Sequence, residues 1–306
     1  MSHFSSKITG AFALAVTAQA AIAAETAPVV LEPSSQWNLD YSHDSCRLGR
    51  KFGEGAQQMF FYVERFEPGD SFFMVLAGQP LGDSPDRKTA FRFGPGGANE
   101  FEERGFNGKY GEYGPALMVN GAALMTLPED EASKANIERL RKVGDIDVFG
   151  QLLTAEQERS VEWLDVRASR KQYLRLKLGP MDKPLAAMRG CTDELLTHWG
   201  LDLAAIRGMT RAPIPASNPG GWVLSSDYPN GMLRDGKQGL VHFRLMVGAD
   251  GKPSSCHVQQ VTTSAEFAEA ACRGLMKRAK FEPALGADGK PIASYWRTTV
   301  NFQMGW

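Results

Sequence analysis

The chain has 306 residues, 43 % of them hydrophobic and 23 % charged, a composition of ordinary globular character with room for about two domains. Its 34 basic and 35 acidic residues leave a formal net charge of -1, which excludes bulk electrostatic attraction to nucleic acid or to an anionic membrane surface.

The first residues read as an address. Lys7 is followed by a charge-free run from Ile8 to Ala24, rich in Ala, Phe, Leu and Val, that ends in small residues. A basic start, a short apolar run and an A-x-A site make a secretory signal. The cut is expected near Ala23, with Ala20 and Ala24 as alternatives. An uncleaved inner-membrane anchor facing the periplasm is the other reading. The run carries Thr17 and Gln19 and falls short of the ~20 mostly apolar residues that span a bilayer.

A short polar lead, Glu25 to Ser35, precedes strands. Trp37 to Tyr41 alternates apolar and polar residues, as a half-buried strand does. Gln58 to Phe66 and Ser71 to Ala77 flank Glu67-Pro68-Gly69-Asp70 and read as a hairpin, because Pro fixes φ and Gly permits positive φ. Ala90 to Phe93 and Ala116 to Val119 are further strands, separated by a Gly-rich stretch, Gly94 to Gly114, expected as a long surface loop. Pro128 to Lys142 is expected to be helical, acidic at its start and basic at its end. Strands follow at Val161 to Val166 and Tyr173 to Leu178. A helix over Pro184 to Trp199 carries Leu185, Met188, Cys191, Leu195 and Trp199 on one stripe and stops at Gly200.

Asp202 to Asn218 contains Pro213 and Pro215, is followed by Pro219, and reads as an extended linker. Beyond Trp222 the order is strand, strand, helix, strand. The first strand opens at Gly239, with Val241, Phe243, Leu245 and Val247 on one face and His242, Arg244 and Met246 on the other. Asp250-Gly251 makes its hairpin turn. Ser254 to Val261 returns, Ser264 to Lys280 is a helix, and Ala293 to Met304 is the last strand. The expected fold class is α+β: a β-rich domain over 36–200 with a terminal helix, a Pro-rich linker over 201–221, and a small antiparallel sheet packed on a helix over 222–306.

Four cysteines in an exported chain favour disulfides over buried thiols. None lies in a C-x-x-C, so neither a zinc knuckle nor a thioredoxin-type site is indicated. Three pairings are open. The layout of the segments suggests Cys256 with Cys272 and Cys46 with Cys191.

The last segment resembles the TonB C-terminal domain family. The residues that carry this are Tyr228-Pro229, Leu233, Gly236 and Gly239, then Val241, Asp250-Gly251 and Val258. Ala270-Ala271, Phe281, Pro283-Ala284, Gly289-Lys290-Pro291 and Val300 to Phe302 complete the series. The resemblance implies a three-stranded antiparallel sheet on helices. It also implies a protein partner, an extended segment of an outer-membrane transporter, bound by strand addition in the periplasm. On that resemblance the last strand is the docking edge, with Tyr295, Arg297, Thr299 and Asn301 outward if Trp296, Val300 and Phe302 face the helix. A solvated edge that only resists aggregation is the competing reading, and a homodimer through the same edge is an alternative partner. The family's Ser-Ser-Gly before the helix is Thr262-Thr263-Ser264 here, and the long Pro-rich spacer is absent. The expected role is therefore a periplasmic binding protein rather than an anchored energy transducer.

No enzyme, cofactor, metal or nucleic-acid site is expected. His43-Asp44-Ser45 is adjacent in sequence, which is not evidence for a triad. A buried cleft gathering His43 or His198 with carboxylates would revive an enzyme reading. His242 and His257 lack a third ligand at a supporting spacing. Gly94-Pro95-Gly96-Gly97 lacks the Lys-Ser/Thr of a phosphate loop. Asp40, Asp44 and Glu54 read as solvated, as does the basic face of Arg273, Lys277, Arg278 and Lys280. N-terminal sequencing of protein recovered from the periplasm is expected to begin near Ala24; an intact Met1 in the inner-membrane fraction would establish the anchor instead.

Overall fold

The computed structural model describes residues 27–82, 89–97, 100–103, 105–125, 153–169, 172–261 and 264–304. The leader at 1–23, the helix expected over 128–142 and the Thr262-Thr263 pair lie outside the described residues.

The N-terminal unit holds β1 (Val29–Leu31), β2 (Asn38–Tyr41), β3 (Cys46–Phe52), β4 (Met59–Arg65), β5 (Phe72–Ala77), β6 (Ala90–Pro95), β7 (Phe106–Lys109) and β8 (Pro115–Ala122). Then come helix α1 (Ala155–Arg159), β9 (Val161–Ser169), β10 (Gln172–Lys177) and helix α2 (Asp182–His198). The strands form a six-stranded sheet, β2-β3-β4-β5-β8-β7, and a four-stranded one, β1-β10-β9-β6. Residues of both meet in one core. Met59, Phe61, Val63, Met74 and Leu76 come from the larger sheet, Phe91, Phe93, Leu164 and Val166 from the smaller. Phe61 and Phe72 each reach Phe93 across it, with ring centroids 6.3 and 6.1 Å apart. Leu185, Met188, Cys191 and Leu195 of α2 close the same core.

Charged groups inside this unit are paired, as burial demands. Asp165 is fully buried; it accepts from Arg175 Nε at 2.6 Å, from Tyr173 Oη at 2.7 Å and from Arg92 Nη2 at 3.1 Å. Those residues sit on the strands flanking β9, so one carboxylate ties three strands together. Glu158 of α1, also fully buried, receives Arg189 of α2 at 2.5 Å.

Several elements differ from the sequence expectation. The polar lead contains β1, which pairs parallel with β10. The Gly-rich stretch contains β7, which extends the larger sheet beyond β8. The Pro-rich segment expected as an extended linker is partly helical and is docked. It holds helix α3 (Leu203–Arg207), capped by the Asp202 carboxylate on the N–H of Ala204 and Ala205. It also holds β11 (Ile214–Pro215), which pairs with β14 (Phe281–Glu282). Helix α4 (Asn230–Arg234) lies between them in the chain.

The C-terminal unit is built on β12 (Gly239–Val247), β13 (Pro253–Val261), helix α5 (Ala265–Arg278), and β17 (Ser294–Phe302), with the short hairpin β15 (Ala284–Leu285) and β16 (Pro291–Ile292) before β17. Its sheet has the order β13-β12-β17, all antiparallel. Val241, Phe243, Leu245 and Val247 meet Phe267, Ala271 and Leu275 of α5 in a second core, with Trp222, Trp296 and Phe302. Gly251 turns the β12–β13 hairpin at φ +75°, and a Cβ there would stand 2.0 Å from the Phe281 carbonyl.

Cys46 is bonded to Cys191 and Cys256 to Cys272, at sequence separations of 145 and 16. Loop-closure entropy gives about 5 and about 3 kcal/mol for loops of these sizes. Replacing Cys256 and Cys272 together by serine is therefore expected to lower stability by about 3 kcal/mol in urea unfolding, and the Cys46 and Cys191 pair by about 5.

Candidate functional site

The outer face of the C-terminal sheet, opposite α5, is covered over much of its area. His242, Arg244 and Met246 of β12 point that way, with Tyr295, Arg297 and Thr299 of β17 and His257 and Gln259 of β13. His242 and Arg244 are buried, at 7 and 2 % exposure. What buries them is the N-terminal unit.

Arg244 and Arg297 are direct cross-strand partners. Like charges in that position repel, so each needs an opposite charge. Arg244 Nη1 donates to Asp44 Oδ1 at 3.2 Å, and its guanidinium lies 3.7 Å from the centre of the Trp199 ring. Arg297 pairs with Glu67, donates from Nε to Gln259 Oε1 at 2.7 Å, and lies over Phe66. Both anions come from turns of the N-terminal unit: Asp44 between β2 and β3, Glu67 between β4 and β5. Gln259 Nε2 adds hydrogen bonds to the carbonyls of Asp44 and Phe66, each 3.3 Å. Burial lowers the Arg244 pKa and the Asp44 charge opposes it. Stripping one member from such a buried pair leaves its partner uncompensated, a loss of about 3–5 kcal/mol.

An apolar seam runs beside these pairs. Met246 and Tyr295 pack with Leu196, Leu201 and Ile206 from the end of α2 and from α3, and Tyr295 meets Trp199 edge-on at 5.4 Å. His242 stacks on Phe66 with centroids 5.9 Å apart and an interplanar angle of 8°. Its Nδ1 is 2.9 Å from Thr299 Oγ1. Burial, reinforced by the Arg297 charge, pushes its pKa down to about 4.

Of the residues expected outward on the last strand, Tyr295, Arg297 and Thr299 are half-buried on the N-terminal unit, and Asn301 is exposed. Trp296 and Phe302 are buried on the α5 side, and Val300 packs against the same core. β17 pairs with β12 along one side, and no described strand lies along the other. Beside it is a cleft of about 380 Å³ between the two units, lined by Thr298 and Arg297 and, across from them, by Glu64, Pro68, Phe73 and Asn120. Glu64 is buried; its Oε1 accepts from Ser45 and Arg47 while Oε2 has no hydrogen-bond partner among the described residues.

Asp44 is thus an interface group and not a solvated face. Trp199, Phe66 and Glu67 were likewise invisible as docking residues from sequence. The only signal was a pair of arginines at outward positions of strands with strongly apolar inward faces. In the His43-Asp44-Ser45 run, His43 Nδ1 is 3.1 Å from Asp44 Oδ2, but Ser45 turns away to Glu64. His43 and His198 do come together, at the surface rather than in a buried cleft. His242 and His257 keep separate partners, Thr299 and Ser255. Among the described residues no group of three or more His, Cys, Asp or Glu side chains is placed to hold a metal ion. On α5, Arg278 is not solvated: it donates to the Trp222 carbonyl at 2.7 Å and pairs with Asp227. Among the described residues no helix is long and apolar enough to cross a membrane.

Residues 225–304 match the family model of the Gram-negative bacterial TonB protein C-terminal region. Within that span the sheet order and the helix on one face agree with the fold that the resemblance implied, so residues 225–304 form a unit of TonB C-terminal type. A search of curated proteins finds no match to the chain.

Because the His242 pKa is lower in the fold than the usual histidine value, the unfolded chain binds the proton more readily. Stability is then full above about pH 6.5 and falls as pH drops toward 4, by up to about 3 kcal/mol. Urea unfolding of the wild type across that window is expected to show this slope, and His242→Gln, which keeps a partner for Thr299 but does not titrate, is expected to flatten it.

Proposed function

We propose that this is a periplasmic binding protein that takes up an extended segment of a partner, an outer-membrane transporter, as an added strand along β17. The observation that carries this is the edge itself. β17 is nine residues long, has a described strand on one side only, and belongs to a unit of TonB C-terminal type. Such an edge presents main-chain donors and acceptors that an extended peptide can complete.

Side chains of an added strand alternate between the two faces of the sheet. On one face they would point to the side of the sheet that carries α5. On the other they would enter the cleft between β17 and the β4–β5 turn. The N-terminal unit then supplies a wall of the binding site, and residues 36–200 act as a domain that helps read the peptide rather than as a separate machine. Residues 201–221 join that domain to the one over 222–306. Main-chain pairing would supply affinity and the cleft would supply selectivity. This reading needs no cofactor and no catalytic residue.

A test uses the full, isotope-labelled chain and extended peptides from periplasm-facing segments of outer-membrane transporters. Amide shifts are expected to concentrate at 294–302. Proline placed in the peptide should abolish binding at every second position and be tolerated between, since only alternate residues face the ladder. Tolerance of proline at all positions would rule out strand addition. Shifts of the same amides on raising protein concentration alone would point to a homodimer through this edge.

A further inference from the structure

We propose that His43 and His198 form a two-imidazole seat for a divalent transition-metal ion of the zinc type, on the face of the N-terminal unit next to the Cys46–Cys191 disulfide. The two Nε2 atoms stand 3.3 Å apart. Two nitrogens each bound at about 2.0–2.1 Å to a tetrahedral zinc ion are separated by about 3.3–3.4 Å. With one ring as donor and the other as acceptor, the same spacing serves a hydrogen bond when no ion is bound. The rings are close to perpendicular and their centroids lie 4.8 Å apart. The nitrogens are therefore nearer to each other than the ring centres are, and both Nε2 edges face one another.

The surroundings suit an ion. His43 binds through Nε2 because its Nδ1 is held by Asp44 Oδ2 at 3.1 Å, the carboxylate–histidine arrangement that fixes tautomer and ring orientation in metal sites. Glu194 lies one turn before His198 on α2, and both line one surface groove of about 490 Å³ with Tyr41, Ser42 and Thr197. With two protein nitrogens and an open groove, water would fill the remaining positions, one more of them than in a zinc site with three protein ligands. Asp44 also reaches Arg244 through its other oxygen. The carboxylate that would orient the metal ligand is thus the one that anchors the C-terminal sheet.

Calorimetric titration of the untagged full chain with Zn²⁺ at pH 7.5 is the test. One ion is expected per chain, with a matching rise in Tm. His43→Ala and His198→Ala are each expected to weaken binding at least about tenfold, the lower end of what losing even an orienting partner costs, and to remove the rise in Tm. Both side chains are exposed, so the variants should keep the wild-type circular dichroism spectrum. Binding should also fade at pH 5.5 as the imidazoles take up protons. Absence of Zn²⁺ binding by the wild type, or undiminished affinity in both variants, would overturn the site.

Discussion

Two guanidinium groups stand side by side on one face of a three-stranded sheet, and that face is buried. The arrangement is tolerable only because an anion meets each cation, and both anions belong to the other half of the molecule. Arg244 with Asp44 and Arg297 with Glu67 set how the two units sit together; Trp199 and Phe66 fill in beneath the planar groups. The geometry is held at its source by sulfur. Cys46 follows Asp44 by two residues, and Cys191 lies on the helix that ends just before Trp199. The disulfide therefore fixes the anion and the aromatic platform of the Arg244 site relative to each other.

A sheet covered on both faces has only its margins to offer. On the inner side α5 is bonded to β13 through Cys256 and Cys272, and on the outer side the N-terminal unit occupies the ground. Recognition that depended on the broad face of the sheet would first have to displace two ion pairs and an apolar seam. Recognition along β17 displaces no described strand. The N-terminal unit thus narrows what the domain can do while giving it a second wall.

Much of the fold was legible in the sequence. The hairpin around Pro68-Gly69, the helix that ends at Gly200 and the strand order beyond Gly239 rest on local signals: turn chemistry, a helical stripe, period-two alternation. β3 was harder to see, because Arg47, Arg50 and Lys51 blur its alternation; in the fold Arg47 lies over Tyr62 and Arg50 over Trp37, so the charges ride on aromatic surface. The prolines of 213–219 read as an extended linker, and nothing local in them showed where that segment docks, since its partner β14 comes more than 60 residues later. The site was the least legible part. His242, Arg244 and Arg297 have the composition of a wet surface, and the anions that meet the two arginines lie 200 and 230 residues away in the chain. Pairing across that distance leaves no periodic trace.

The bond between Cys46 and Cys191 has a mechanical meaning. Tension applied between the start of the chain and the C-terminal sheet would travel through the early strands to Cys46, cross the sulfurs, and leave by the last turns of α2. The 145-residue span between the two cysteines would lie off that line. A partner tugging on β17 would strain the ion pairs and the short segment after α2, and would load the sandwich chiefly through the β4–β5 turn that carries Glu67.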